Sequence, residues 1–91
     1  MENTKLSKAV EDLRPVEFVI WMELHEMRLP QLTTITGLAK RLKCGRSRAA
    51  VTDVLEGLRA KGYASVEDSA KKKRISLKRR LDVAAGAYAR F

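Results

Sequence analysis

The stretch Gly45 to Gly62, GRSRAAVTDVLEGLRAKG, sets the terms on which the rest of the chain folds. As a helix from about Arg48 to Lys61, it places Val51, Val54, Leu55 and Leu58 at i, i+3, i+4 and i+7, the spacing of one buried stripe. Arg48, Ala49, Thr52, Asp53, Glu56 and Arg59 occupy the remaining surface. Just upstream, Ser47 can accept a hydrogen bond from the free amides of the first turn and so act as N-cap. Gly62 closes the helix. A core face, a cationic N-terminal end formed by Arg46 and Arg48, and small residues beside it are what a helix needs to enter a DNA major groove end-first. A core helix with one wet face has the same pattern, so the neighbouring segments decide.

The 91 residues predict one domain, and a chain of this size leaves much of its surface exposed, so a partner subunit would help it. Hydrophobic residues make up 45% and charged residues 33%, which argues against a disordered tail and a membrane protein. No apolar run approaches the roughly 20 residues of a membrane span, and MENTKLSK is not followed by a signal-peptide core. A cytoplasmic, nucleoid-associated protein is the resulting expectation. Cys44 is the single cysteine, excluding an internal disulfide, and beside the lone His25 it makes no ligand set for a metal. Cys44 is either a redox sensor or, more simply, a small apolar residue in a turn.

Charge gives the sharpest compositional signal. Nineteen Lys and Arg against eleven Asp and Glu leave +8, which points to a polyanionic partner. Residues 1–36 hold four basic and six acidic side chains, whereas residues 37–91 hold fifteen and five. That polarity predicts one face made for phosphates.

From Thr4 to Leu13, the sequence places Leu6, Ala9, Val10 and Leu13 on a helical stripe, with Asn3 or Thr4 available as cap. Pro15 predicts the start of a second helix running to about Met27. Val16, Val19, Ile20 and Leu24 share a stripe on it, while Phe18, Trp21 and Met22 lie off it, so more than one side must be covered. Leu29-Pro30 ends that helix. After the polar, β-branched Gln31 to Thr34, either Thr34 or Thr36 can cap a short helix that turns Leu38, Ala39 and Leu42 inward. A turn, Lys43-Cys44-Gly45-Arg46, then leads into the opening stretch. A short helix, a glycine-bearing turn and a longer helix make the helix-turn-helix arrangement, whose second helix is the reader.

Beyond Gly62 the apolar period changes. Tyr63-Ala64-Ser65-Val66-Glu67 and Arg74-Ile75-Ser76-Leu77 alternate apolar with polar residues, and Asp68 to Lys73 is turn-compatible. These segments predict a two-stranded hairpin with Lys71, Lys72 and Lys73 at or near its tip. The lysine run reads either as a solvated loop or, following this helix, as a phosphate or minor-groove contact. Lys78, Arg79 and Arg80 extend the basic tract. From about residue 80 to 91, Leu81, Ala84 or Ala85, Tyr88 and Phe91 recur at helical spacing, although Gly86 weakens such a helix. Such a terminal helix either packs across the first helices of its own chain or pairs with a second copy; because Leu6, Val10, Trp21, Leu81, Tyr88 and Phe91 offer more apolar surface than one small core covers, a homodimer through the terminal helices is the expectation.

This order of elements resembles the winged helix-turn-helix, a mainly α fold (α+β) with a two-stranded β-hairpin wing. Gly37-Leu38-Ala39-Lys40-Arg41-Leu42 is similar to the "xLAxxL" second helix of MarR-like and related bacterial and archaeal regulators, and Ser47 through Tyr63 is similar to their "SxxxVTxxLxxLxxKGx" reader helix. The resemblance covers about residues 33 to 77. Its motifs specify the fold more than the subfamily. The turn between Leu42 and Ser47 is about two residues longer than the usual MarR turn, and there is no room for long flanking helices, so no effector pocket is implied. Small plasmid and viral winged-helix proteins, including DNA-coating partition proteins, are also about this size.

The resemblance implies that Arg46 or Arg48 donates two bonds to guanine, that Thr52 or Ala49 touches a thymine methyl, and that Asp53 accepts from cytosine or holds a neighbouring arginine. Ser47 and the helix N-terminus would grip a phosphate, with Lys40, Arg41 and Lys43 contributing likewise. Lys71, Lys72, Lys73 and Arg74 would reach the flanking backbone or minor groove. Two copies on a twofold axis would read an inverted repeat in double-stranded DNA. No cofactor, metal or small-molecule effector is indicated. A winged-helix protein-interaction module is the rival reading. An enzyme is not expected, since there is no paired His and nucleophile, metal set or phosphate-cradling glycine loop, and the proposed basic face carries no aromatics on which RNA bases could stack.

Overall fold

In the computed structural model, which describes residues 2–43 and 45–82, the chain begins with a strand rather than a helix. Strand β1 (Glu2–Thr4) precedes helix α1 (Leu6–Asp12) and helix α2 (Pro15–Leu24). Strand β2 (Gln31–Thr33), helix α3 (Ile35–Arg41) and helix α4 (Arg48–Ala60) follow, then strands β3 (Ala64–Ser69), β4 (Lys72–Leu77) and β5 (Arg79–Leu81). Among the described residues the result is an α+β domain with four helices and a three-stranded antiparallel sheet in the order β2-β4-β3. A separate parallel pair joins β1 to β5. Cys44, Tyr88, Phe91 and most of the expected terminal helix lie outside the described residues.

Asn3 and Thr4 do not cap α1: both are in β1, facing Arg80 and Leu81, and Lys5 stands at the cap position without a side-chain bond. Leu81 does not begin a helix, because the β1 backbone draws Arg79–Leu81 into a strand. Trp21 and Leu81 are not dimer surface; they are 0% and 4% exposed inside the domain. The indole of Trp21 donates from Nε1 to the Arg79 carbonyl at 3.0 Å and meets the Tyr63 ring edge-on, with centroids 5.3 Å apart. The buried stripe of α2 is accordingly Glu17, Ile20, Trp21 and Leu24, and Val19, expected on it, is 45% exposed.

The end of α2 comes at Leu24 rather than Met27 because the next amides bond three residues back, His25 to Met22, Glu26 to Glu23 and Met27 to Leu24, tightening the chain out of the helix. A cis peptide joins Leu29 to Pro30. The following residues form β2, which was not foreseen as a strand. It supplies the second edge of β4, with Gln31 opposite Ile75 and Thr33 opposite Lys73. Hairpin strands β3 and β4 run further than the alternating pattern predicts, leaving Ala70 and Lys71 as a two-residue turn in which Ala70 adopts φ 55°. A positive φ in that position suits the right-handed twist of a tight hairpin.

Helix α4 lies where its sequence puts it. Val51, Val54, Leu55 and Leu58 are all buried, each stabilising the fold by about 1.5–3 kcal/mol. They join Ile20, Trp21 and Leu24 of α2, Leu38 of α3, and Tyr63, Ile75 and Leu77 of the sheet in a single core. Tyr63 ties the layers together: its hydroxyl donates to Asp12 at 2.8 Å, and its carbonyl accepts from the amides of Lys78 and Arg79. Burial and the Asp12 bond push the phenol up to about 12, while bonds from Tyr63 and Lys8 hold Asp12 below its usual range.

Candidate nucleic-acid interface

The α3–turn–α4 unit is fixed locally by side chains that complete the free backbone groups at helix ends. Thr34, rather than Thr36, caps α3 by accepting from the Gly37 amide at 3.0 Å. Leu42 leaves the helix in an extended conformation and is buried, which anchors the end of α3 in the core. In the turn, the Lys43 amide donates to the Glu23 carboxylate at 2.5 Å, and its ammonium pairs with Glu26 at 3.2 Å. Gly45 takes a left-handed φ of 66°, a conformation that favours glycine. Ser47 then caps α4, its hydroxyl oxygen accepting from the Ala50 amide at 3.2 Å.

The expected reader residues Arg46, Ser47, Arg48, Ala49, Thr52 and Asp53 are all exposed. Their chemistry is not uniform. Thr52 donates its hydroxyl to the Arg48 carbonyl at 2.9 Å, leaving the methyl as its free feature. Asp53 pairs with the Arg14 guanidinium at 3.0 Å, so the arginine it holds comes from the start of α2 rather than from its own helix. Glu56, the next acid on this surface, pairs with Arg59 at 2.7 Å, which holds the carboxyl below its ordinary range. Both acids on the outer face of α4 are therefore neutralised in place. The cations at its N-terminal end are not: among the described residues, Arg46 and Arg48 enter no ion pair.

The same holds for Lys40 and Arg41 of α3 and for Lys71, Lys72 and Arg74 of the hairpin, all exposed and unpaired among the described residues. Two expected contacts are compensated instead. Lys43 is engaged by Glu26, and Lys73 pairs across the hairpin with Asp68 at 2.6 Å. Register explains the second, since Lys73 lies directly opposite Asp68 while Lys72 and Arg74 share the other face of β4. The hairpin flanks the polar side of α4: charges on Lys73 and Asp68 act on Glu56, and Asp68 acts on Arg59. The hairpin therefore lies beside the Glu56–Arg59 part of α4.

Behind that surface is a residue the apolar pattern does not reveal. Glu17 is 1% exposed, and it accepts from the Arg14 amide at 2.9 Å, from the Arg14 guanidinium at 3.0 Å and from the Lys61 ammonium. Burial alone would raise its pKa; the bonds from Lys61 and Arg14 outweigh this and hold it below the ordinary value. The signal was local: a glutamate two residues after a helix-starting proline is placed to accept from the N-cap amide. His25 is a second such group. Its Nδ1 lies 2.8 Å from the Trp21 carbonyl and its Nε2 accepts from the Leu81 amide at 3.0 Å, which fixes the neutral ring with the proton on Nδ1. Burial, reinforced by nearby Arg80, pushes its pKa down despite the Trp21 bond.

Arg79, expected in the basic tract, is turned to the opposite duty. It pairs with Glu2 at 3.0 Å and sits 5.4 Å above the Tyr63 ring, clamping β5 to the domain. Leu6 and Val10 of the expected dimer surface are 40% and 59% exposed, Val19 is 45% exposed, and an apolar groove runs between Val10, Leu13, Pro15, Phe18 and Val19. Among the described residues, no group of three or more His, Cys, Asp or Glu side chains could hold a metal, and no helix is long and apolar enough to cross a membrane. No known family model matches the chain, and neither a curated protein nor a solved structure matches it significantly.

Proposed function

We propose that the domain is a winged helix-turn-helix that binds double-stranded DNA, with α4 as reader and the β3–β4 hairpin as wing. One observation carries this reading: exposed cations without ionic partners gather at the N-terminal end of α4, on α3 and on the hairpin, while the acids on the outer face of α4 are neutralised by local partners. Such cations attract phosphate, and an exposed, serine-capped helix end has the form that fits a major groove. The succession α2, β2, α3, α4 and hairpin, with β2 closing the sheet against β4, is the arrangement expected of a winged helix.

In this reading Arg46 or Arg48 makes the base contacts and Ala49 and the Thr52 methyl meet thymine, while Ser47, Lys40 and Arg41 hold phosphates. Lys71, Lys72 and Arg74 follow the flanking backbone. Two copies pair through the exposed Leu6, Val10 and Val19, presenting two readers to an inverted repeat as a transcriptional regulator. Selection of bound sequences from random duplex DNA tests the whole. Recovery of an inverted repeat supports it; recovery of unselected sequence replaces regulation by DNA coating, and no binding at low salt removes the DNA reading.

A further inference from the structure

Where the N-terminus of α2 crosses α4 between Asp53 and Lys61, five residues meet in one cluster. The Glu17 carboxylate collects the Arg14 amide, the Arg14 guanidinium and the Lys61 ammonium, and the same guanidinium reaches Asp53. Gly57 makes the space, for a Cβ there would overlap the carboxylate. Asp53, Gly57 and Lys61 recur every four residues, so the cluster grips one stripe of α4 over two turns; Ala49 continues that stripe toward the proposed reading end. Burying a carboxylate is costly, and apolar side chains would join two helices at least as well. Directional charged bonds add something apolar contact lacks, a single permitted rotation of one helix against the other.

We propose that Glu17 is a positioning residue that sets the roll of α4 through Arg14 and Lys61, and that Asp53 serves this latch rather than reading a base. The inference rests on the DNA-binding reading. Because roll decides where Arg48, Ala49 and Thr52 point, loosening the latch blurs sequence preference while leaving attraction to phosphate.

The test compares affinity for the selected duplex and a scrambled duplex, alongside thermal melting, for wild type, Glu17→Gln, Arg14→Ala, Asp53→Asn and the Arg14→Ala/Asp53→Asn double variant. The Asp53 side chain is 67% exposed and pairs with Arg14 rather than with Glu17, so Asp53→Asn keeps the fold even if Glu17→Gln or Arg14→Ala does not. Each single variant is expected to lower the selected-to-scrambled ratio about tenfold, the scale of one misplaced base contact. The double variant should lower it no further, and the preferred base at every position should stay the same. Additive losses, an unchanged ratio, or a preferred base that changes in Asp53→Asn would overturn the latch. If wild type itself does not distinguish the duplexes, sequence reading fails and the latch role falls with it; wild-type discrimination with additive variants sinks the latch alone.

Discussion

From its middle to its C-terminal cap, α4 carries paired charges: Asp53 with Arg14, Glu56 with Arg59 on the helix itself, and Lys61 with the buried Glu17. At its N-terminal end, Arg46 and Arg48 stand exposed beside a serine cap, with no ionic partner among the described residues. One helix therefore carries a half whose charges are satisfied within the chain and an end whose charges are left for something else. The contrast separates two uses of the same residue types. Net charge alone does not distinguish them, since Arg79 and Lys61 add to the +8 as much as Arg48 does yet are occupied by the fold.

The contrast breaks most readily at Arg48. Arg48→Ala is expected to weaken binding to a preferred duplex by about 1–3 kcal/mol, with the folded state changed by no more than about 0.5 kcal/mol, as for other exposed sites. Equal binding, or a large loss of stability, would erase the distinction between the two ends. Gly57→Ala probes the opposite end. It should cost about 1–3 kcal/mol of stability in thermal melting, because the new methyl group collides with the Glu17 carboxylate, and the loss should shrink in a Glu17→Ala background.

Lys72→Ala sharpens the comparison by moving it to the hairpin. It should weaken all duplexes alike and reduce the slope of log affinity on log salt by about 0.9, whereas Lys73→Ala, already paired with Asp68, should change the slope less.

Acidification distinguishes the satisfied groups from the free ones by their effect on folding. His25 titrates below its ordinary 6.5 in the folded state, so the unfolded chain takes up that proton first, and stability should fall as pH drops below 6.5. Glu17, also below its ordinary 4.5, should add a further loss below that value, where again the unfolded chain protonates first. Urea midpoints across pH would show both steps, and His25→Gln should lack the upper one.

How much of this could be read in advance follows from the length and contrast of each signal. The stripe and cap of α4 were legible because thirteen residues repeat one period with polar residues opposite. Helix α2 was located but not oriented: apolar on most sides and with a carboxylate inside its buried stripe, it offers no clear periodic face, so Trp21 was sent to the surface. Strands β1, β2 and β5 are three residues each, too short to show alternation, and the β1–β5 pairing joins residues far apart in sequence. The cations expected at the interface lie on α3, in the turn after it, at the start of α4 and on the hairpin. What the sequence did not show is which of them are already spoken for, because Lys43 and Lys73 are compensated by partners that only the turn geometry and strand register bring close.

In the proposed function, the N-terminal end of α4 and the hairpin form one DNA-binding face. Mapping amide chemical shifts on titration with duplex DNA tests it most directly. Arg46 to Asp53 and Lys71 to Arg74 are expected to shift together and saturate at one DNA concentration, while Leu6, Val10 and Val19 keep the positions they hold in the free protein. Shifts confined to the α1–α2 face, or α4 and hairpin signals that saturate independently, would contradict it.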